Sequence, residues 1–214
     1  GPLKSLAEVE LAHWGISHQY YDAMNPQSLA ETISAQTRLV WLEAPGSVTL
    51  EFPDLPALVN ICREKQVLTA LDNTWGAGIA FQPFDFMPCY SEGTGGVDLS
   101  VHALTKYPSG GGDVLMGSVT TCNDDIARRL KLSHMRLGFG VGANDVELVL
   151  RSLSSMLLRY QAQDASCRQL AKWCLQQSAF AQVLHPAVTT SPGHANWREL
   201  CASGQSSPLS LIHI

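Results

Sequence analysis

Apolar stretches rich in β-branched residues alternate along this chain with stretches whose apolar residues recur every three to four positions, the pattern of a βαβ chain. The first kind predicts strands over Ile16–Tyr21, Leu39–Glu43, Val67–Asp72, Val97–Val101 and Val114–Thr121. The second predicts helices over Leu3–Trp14, Gln27–Ala35, Asp54–Lys65 and Asp124–Arg136, several opened by Asp, Ser or Asn in a capping position. Together they describe an α/β domain on a mostly parallel, doubly wound sheet. From Asn144 to Gln177 Gly and Pro disappear, and Val146, Leu150, Leu153, Leu157 and Leu158 recur at helical spacing. One long helix, broken once, is expected to leave the sheet domain there. A short strand over Ala181–Leu184, then His185-Pro186 and a turn at Ser191-Pro192-Gly193-His194, reads as the opening of a second domain.

The expected division is therefore a sheet domain over 1–150, a linking helix with the beginning of a second domain over 151–207, and a tail over 208–214. No strand or cap precedes the first helix, and the tail has no periodicity. Both ends read as those of a fragment, with an aberrant tail.

Composition narrows the class. At 214 residues and 45% hydrophobic, the chain is long enough to bury a sizeable core. Its net charge is −5, and only Arg128, Arg129 and Lys131 cluster among the basic residues, which argues against a nucleic-acid groove. Apolar runs break within about ten residues, short of a membrane span, and the N-terminus has no signal pattern, so a soluble cytoplasmic protein is expected. The six cysteines form no C-x-x-C pair and read as reduced thiols, mostly core. None of the seven histidines shows H-x-x-x-H or H-E-x-x-H spacing, so no metal site is expected.

Two segments carry candidate chemistry. Of the five lysines, only Lys106 lies between a strand and a glycine-rich turn, in Ala103-Leu104-Thr105-Lys106-Tyr107-Pro108-Ser109-Gly110-Gly111-Gly112-Asp113. A lysine so placed can form a Schiff base while the Thr105 hydroxyl bonds a phosphate. Taken alone, the same pattern is more often a solvated loop lysine, and no P-loop motif is present. The second segment, Val67-Leu68-Thr69-Ala70-Leu71-Asp72-Asn73-Thr74-Trp75, ends an apolar run abruptly in a carboxylate. At the carboxyl end of a parallel strand that Asp can meet a ligand, and it can keep a pyridine nitrogen protonated. Alone, it is more often a turn or capping Asp.

Leu71-Asp72-Asn73-Thr74-Trp75 and Thr105-Lys106-Tyr107, with Glu43-Ala44-Pro45-Gly46-Ser47 upstream, resemble the Cys/Met-metabolism (trans-sulfuration) enzymes that depend on pyridoxal 5′-phosphate (PLP), the carbon–sulfur β-lyases among them most closely. The resemblance spans roughly 1–206 and takes in Gly15-Ile16 to Tyr21-Asp22, His185-Pro186, Gly193-His194 and Trp197. It implies the large domain of the type I (aspartate-aminotransferase-like) PLP fold, plus the start of a smaller C-terminal α+β domain. In such enzymes the lysine at Lys106 holds PLP, Asp72 pairs with its ring nitrogen, and Thr105 binds its phosphate. Ser47 stands near the cofactor's 3-oxygen, where the family commonly has Asn. Trp75 packs near the cofactor or in the core.

The resemblance further implies an amino-acid substrate, cystathionine or a similar cysteine S-conjugate, and a homo-oligomer (dimer or tetramer) in methionine metabolism. γ-Synthase or γ-lyase chemistry is the nearest alternative, and an inactive truncated product the other. Departures from the family are Ala103 where a small hydroxyl is usual, Gly110-Gly111 where Gly-His is usual, and a longer loop over Met87–Gly96. The family's ring-stacking Tyr, glycine-led phosphate loop and carboxylate-binding Arg have no counterpart to assign here.

Overall fold

A computed structural model describes residues 2–87 and 95–201. Its centre is a four-stranded sheet of β1 (Leu39–Glu43), β2 (Leu68–Asp72), β3 (Leu99–Ala103) and β4 (Gly117–Thr120), in that spatial order. β1, β2 and β3 are mutually parallel, and β4 runs antiparallel on the far edge. The helices are α1 (Pro2–Ser5), a π-helical turn over Leu6–Glu10, α2 (Leu11–His13), α3 (Pro26–Thr32), α4 (Leu55–Glu64), α5 (Asp124–Leu137), α6 (Ala143–Leu153), α7 (Met156–Leu175) and α8 (His194–Cys201).

The alternation of strand and helix is as the sequence implies, and its local signals are visible. Asp54 Oδ1 accepts from Ala57 N at 3.0 Å, capping α4, and Asn25 and Asn123 cap α3 and α5 in the same way. Gly138, at φ 69°, closes α5 in the left-handed conformation that spares glycine a Cβ clash. α4 turns Leu55, Leu58, Val59 and Cys62 into the core, where they meet Leu42, Leu71, Phe52 and Trp197. Each such side chain removed from water contributes about 1.5–3 kcal/mol, and the Cys62 thiol is pushed up to about 11 by that burial.

Several expectations are corrected. Ile16–Tyr21 forms no strand: Ile16 and Tyr20 are exposed, and the segment is tied to β1 by the Tyr21 hydroxyl donating to Trp41 O at 3.0 Å, not by a backbone ladder. β3 begins two residues later than expected because Asp98 replaces a ladder carbonyl with its side chain, accepting from Thr69 N at 2.7 Å and Thr69 Oγ1 at 2.8 Å. β4 covers only the end of Val114–Thr121.

The helical stretch from Asn144 is two helices, interrupted at Ser154-Ser155, as the single expected break implies. Its leucine stripe, however, faces outward, with Leu150, Leu157 and Leu158 exposed. α7 instead buries Tyr160, Asp164, Cys167 and Ala171. Ala181–Leu184 is not a strand, and α8 follows the Ser191–Gly193 turn where no helix was expected. That last segment packs back on the sheet domain: Phe52 N donates to Pro192 O at 3.1 Å and Asn196 Nδ2 to Phe52 O at 3.1 Å. No described helix is long and apolar enough to cross a membrane. Most of the Met87–Gly96 loop, Cys89 and the 208–214 tail lie outside the described residues.

Candidate active site

Register decides which side chains meet at the carboxyl edge of the parallel strands, where backbone groups and strand-end loops converge. Glu43, Asp72 and Val101 are lateral partners across β1, β2 and β3. The chain beyond each of them therefore leaves the sheet on the same edge. Two bonds then continue the pairing past the ladder. Asn73 N donates to Val101 O at 2.7 Å, and the Thr74 hydroxyl oxygen accepts from Ala103 N at 2.9 Å. The loop carrying Asp72 and the strand leading into Lys106 are thus stitched together within three residues of the lysine.

Asp72 is half-buried, and its Oδ1 accepts from Thr74 N at 3.0 Å. It is therefore a turn aspartate as well as a strand-end carboxylate, and the two readings of the sequence coexist. Ala77 N donates to Asn73 O at 2.8 Å, rolling the chain into a tight turn under Trp75. Lys106, also half-buried, stands in a second compact turn. Its own N–H donates to Ala103 O at 3.1 Å, and its carbonyl accepts from Gly110 N at 3.0 Å. Thr105 Oγ1 accepts from Met116 N at 3.3 Å, which fixes the hydroxyl beside the lysine and leaves its proton to be donated.

Charge at this edge is dominated by carboxylates. Burial pushes the Glu43 carboxyl above the ordinary range, the Ser47 backbone N–H opposes that, and repulsion from Asp72 and Glu51 adds to it. Burial lowers His102, with Asp72 pulling the other way. Two buried polar atoms here, Asn73 Oδ1 and His102 Nε2, have no hydrogen-bond partner among the described residues. An amine, a carboxylate, a donating hydroxyl and unsatisfied polar atoms on one sheet edge fit a ligand with an aldehyde, a basic ring nitrogen and a phosphate, as PLP has.

The remaining residues singled out in the sequence are placed as follows. Ser47 is exposed in the turn after β1, two residues beyond the cis Ala44–Pro45 bond. Trp75 is 7% exposed and belongs to the main buried cluster. Sequence reasoning missed Arg159 and Tyr160, which reach this edge from α7. Arg159 Nη1 donates to Tyr107 O at 2.8 Å, and the Tyr160 hydroxyl donates to Trp75 O at 2.8 Å. A signal was present, since Arg159 is the one charge in the apolar run Met156-Leu157-Leu158-Arg159-Tyr160.

Comparison with known proteins gives this geometry a family. The sequence profile described as "Cys/Met metabolism PLP-dependent enzyme" matches residues 1–211. A cystathionine β-lyase of Bordetella avium is 34% identical over 211 residues, covering 99% of this chain and 50% of its own length. A putative cystathionine β-lyase of Rhizobium johnstonii is 34% identical over 198 residues, covering 92% and 48%. Among solved structures, a cystathionine γ-lyase of Micromonospora echinospora superposes with a TM-score of 0.83 at 26% identity, covering 93% of this chain and 50% of that one. The chain thus spans about half the length of the relatives it matches. With the sequence profile matched along nearly all of its length, the chain belongs to the Cys/Met metabolism family of PLP-dependent enzymes.

Proposed function

We propose that the complete protein is a carbon–sulfur β-lyase, a cystathionine β-lyase, which splits cystathionine or a similar cysteine S-conjugate into a thiol, pyruvate and ammonia. The observation that carries the reading is the stitching of the Asp72 loop to the strand entering Lys106, through Asn73 N to Val101 O and Ala103 N to Thr74 Oγ1.

In this reading Lys106 would hold the cofactor, Asp72 would pair with its ring nitrogen and Thr105 would donate to its phosphate; Ser47 would serve its 3-oxygen, and Trp75 would back the site from the core. Bound there, PLP supplies an aldehyde for the substrate amine and a ring that takes up charge from Cα. Lys106 Nζ would remove the Cα proton of the bound substrate. Asp72 holds the ring nitrogen protonated, because the ion pair in a partly desolvated site favours both charged forms. The Cβ–S bond then breaks with its electron pair on sulfur. Lys106 returns a proton to the leaving thiolate, and water converts the three-carbon remainder to pyruvate and ammonia.

The same reading makes the protein a cytoplasmic homo-oligomer, a dimer or tetramer, in methionine metabolism. A γ-lyase activity is the second reading, favoured by the likeness to the Micromonospora γ-lyase. Incubation of the PLP-loaded complete protein with cystathionine separates the two. Pyruvate with homocysteine is expected; 2-oxobutyrate with cysteine would overturn the β assignment. The 214 residues alone are expected to give weak turnover or none.

A further inference from the structure

Consecutive residues of a helix point about 100° apart, so one helix can hold two different loops with neighbouring side chains. α7 does this at the lysine edge of the sheet. The Tyr160 side chain, fully buried at 0% exposure, donates its hydroxyl to Trp75 O, three residues past Asp72. Its ring meets Tyr107 edge-on, with centroids 4.6 Å apart. Arg159 donates from Nη1 to Tyr107 O, the carbonyl next to Lys106. The rest of its guanidinium is fixed by Nε to Ser155 Oγ at 3.1 Å and by Nη2 to Ser152 O at 3.0 Å and Ser152 Oγ at 2.9 Å. Those acceptors flank the break between α6 and α7, so the interruption at Ser154-Ser155 turns oxygens toward the arginine. A planar fork held at four acceptors has little freedom left, unlike a lysine, which presents a single mobile point charge.

We propose that Arg159 and Tyr160 are positioning residues that set the separation of Lys106 and Asp72, Arg159 by holding the lysine turn and Tyr160 by holding the aspartate turn. This rests on the roles assigned above to those two residues. Each α7 side chain holds a backbone carbonyl, and the reacting groups follow.

The test uses the complete PLP-loaded protein with Tyr160→Phe, which removes only the hydroxyl, and Arg159→Lys, which keeps the charge without the fork. Three readouts are taken: amide exchange in the cofactor-free protein, the pH midpoint of the visible band of lysine-bound cofactor, and kcat against KM. Loss of one neutral hydrogen bond speeds local opening about three- to tenfold, so Tyr160→Phe should accelerate exchange at 75–77 and Arg159→Lys at 106–110. Both should shift the spectral midpoint and lower kcat by about tenfold while leaving KM within about twofold. Unchanged exchange in these turns and an unchanged midpoint, whatever happens to global stability, would overturn the proposal. A visible band that survives Lys106→Ala would instead overturn the assignment of the lysine, and with it this inference.

Discussion

The grip of Arg159 on the lysine turn is exposed to a single methyl group. Gly110 has φ +72°, and a Cβ built on it would stand 2.5 Å from Arg159 Nη1. Gly112 has nearly the same backbone, φ +70°, but nothing lies within 4 Å of its Cβ position. Gly110→Ala and Gly112→Ala therefore share one cost and differ in another. The shared cost is the left-handed conformation, about 1–2 kcal/mol for an L-residue. Only Gly110→Ala must also displace the guanidinium from Tyr107 O, and a hydrogen bond from a charged donor is worth about 1.5–3 kcal/mol. The flexible end of the arginine can yield, so the low end of that range is the expected difference. It corresponds to roughly tenfold more frequent opening of the turn. Hydrogen exchange at the amides of Ser109 and Gly110, which are bonded to Leu104 O and Lys106 O, reads that opening directly. In an Arg159→Ala background the difference between the two alanine variants should vanish. Equal costs for Gly110→Ala and Gly112→Ala in the parent protein would refute the reasoning.

Three further outcomes are expected. Thr105→Val removes both the acceptor for Met116 N and the phosphate donor, so PLP affinity should fall about five- to tenfold by equilibrium titration, with Lys106 still modified by the cofactor. Because burial lowers His102, the folded protein binds fewer protons than the unfolded chain, and stability should fall as pH drops through the ordinary histidine value of 6.5. Denaturation midpoints of His102→Gln should lack that part of the slope. Asp54→Ala removes the α4 cap and should cost about 1 kcal/mol in urea denaturation without altering PLP affinity.

Much of this was legible in the chain itself, and the misses have physical causes. Strand ends were readable where an apolar run stops in one charged residue, as at Asp72, because burial ends there. Ile16–Tyr21 is expected as a strand yet finds no ladder, since local sequence does not report whether a neighbouring strand exists to pair with. The leucines of α6 and α7 announce helices by their spacing, but the buried side of α7 is carried by Tyr160, Asp164, Cys167 and Ala171, a mixed set that hydrophobicity alone does not pick out. Lys106 and Asp72 stand out in the sequence because each ends or follows a strand within a recognisable motif. Arg159 and Tyr160 do not, because they act on backbone carbonyls more than fifty residues away, and carbonyls leave no trace in sequence.

Borohydride reduction of the PLP-loaded protein, followed by peptide mapping, bears most directly on the assignment of the lysine. Reduction fixes the cofactor to whichever amine holds it, and the site is read by mass. The pyridoxyl group is expected on the peptide containing Thr105-Lys106-Tyr107, with no label in the Lys106→Ala protein. Label on Lys4, Lys65, Lys131 or Lys172, or label that persists without Lys106, would contradict the account.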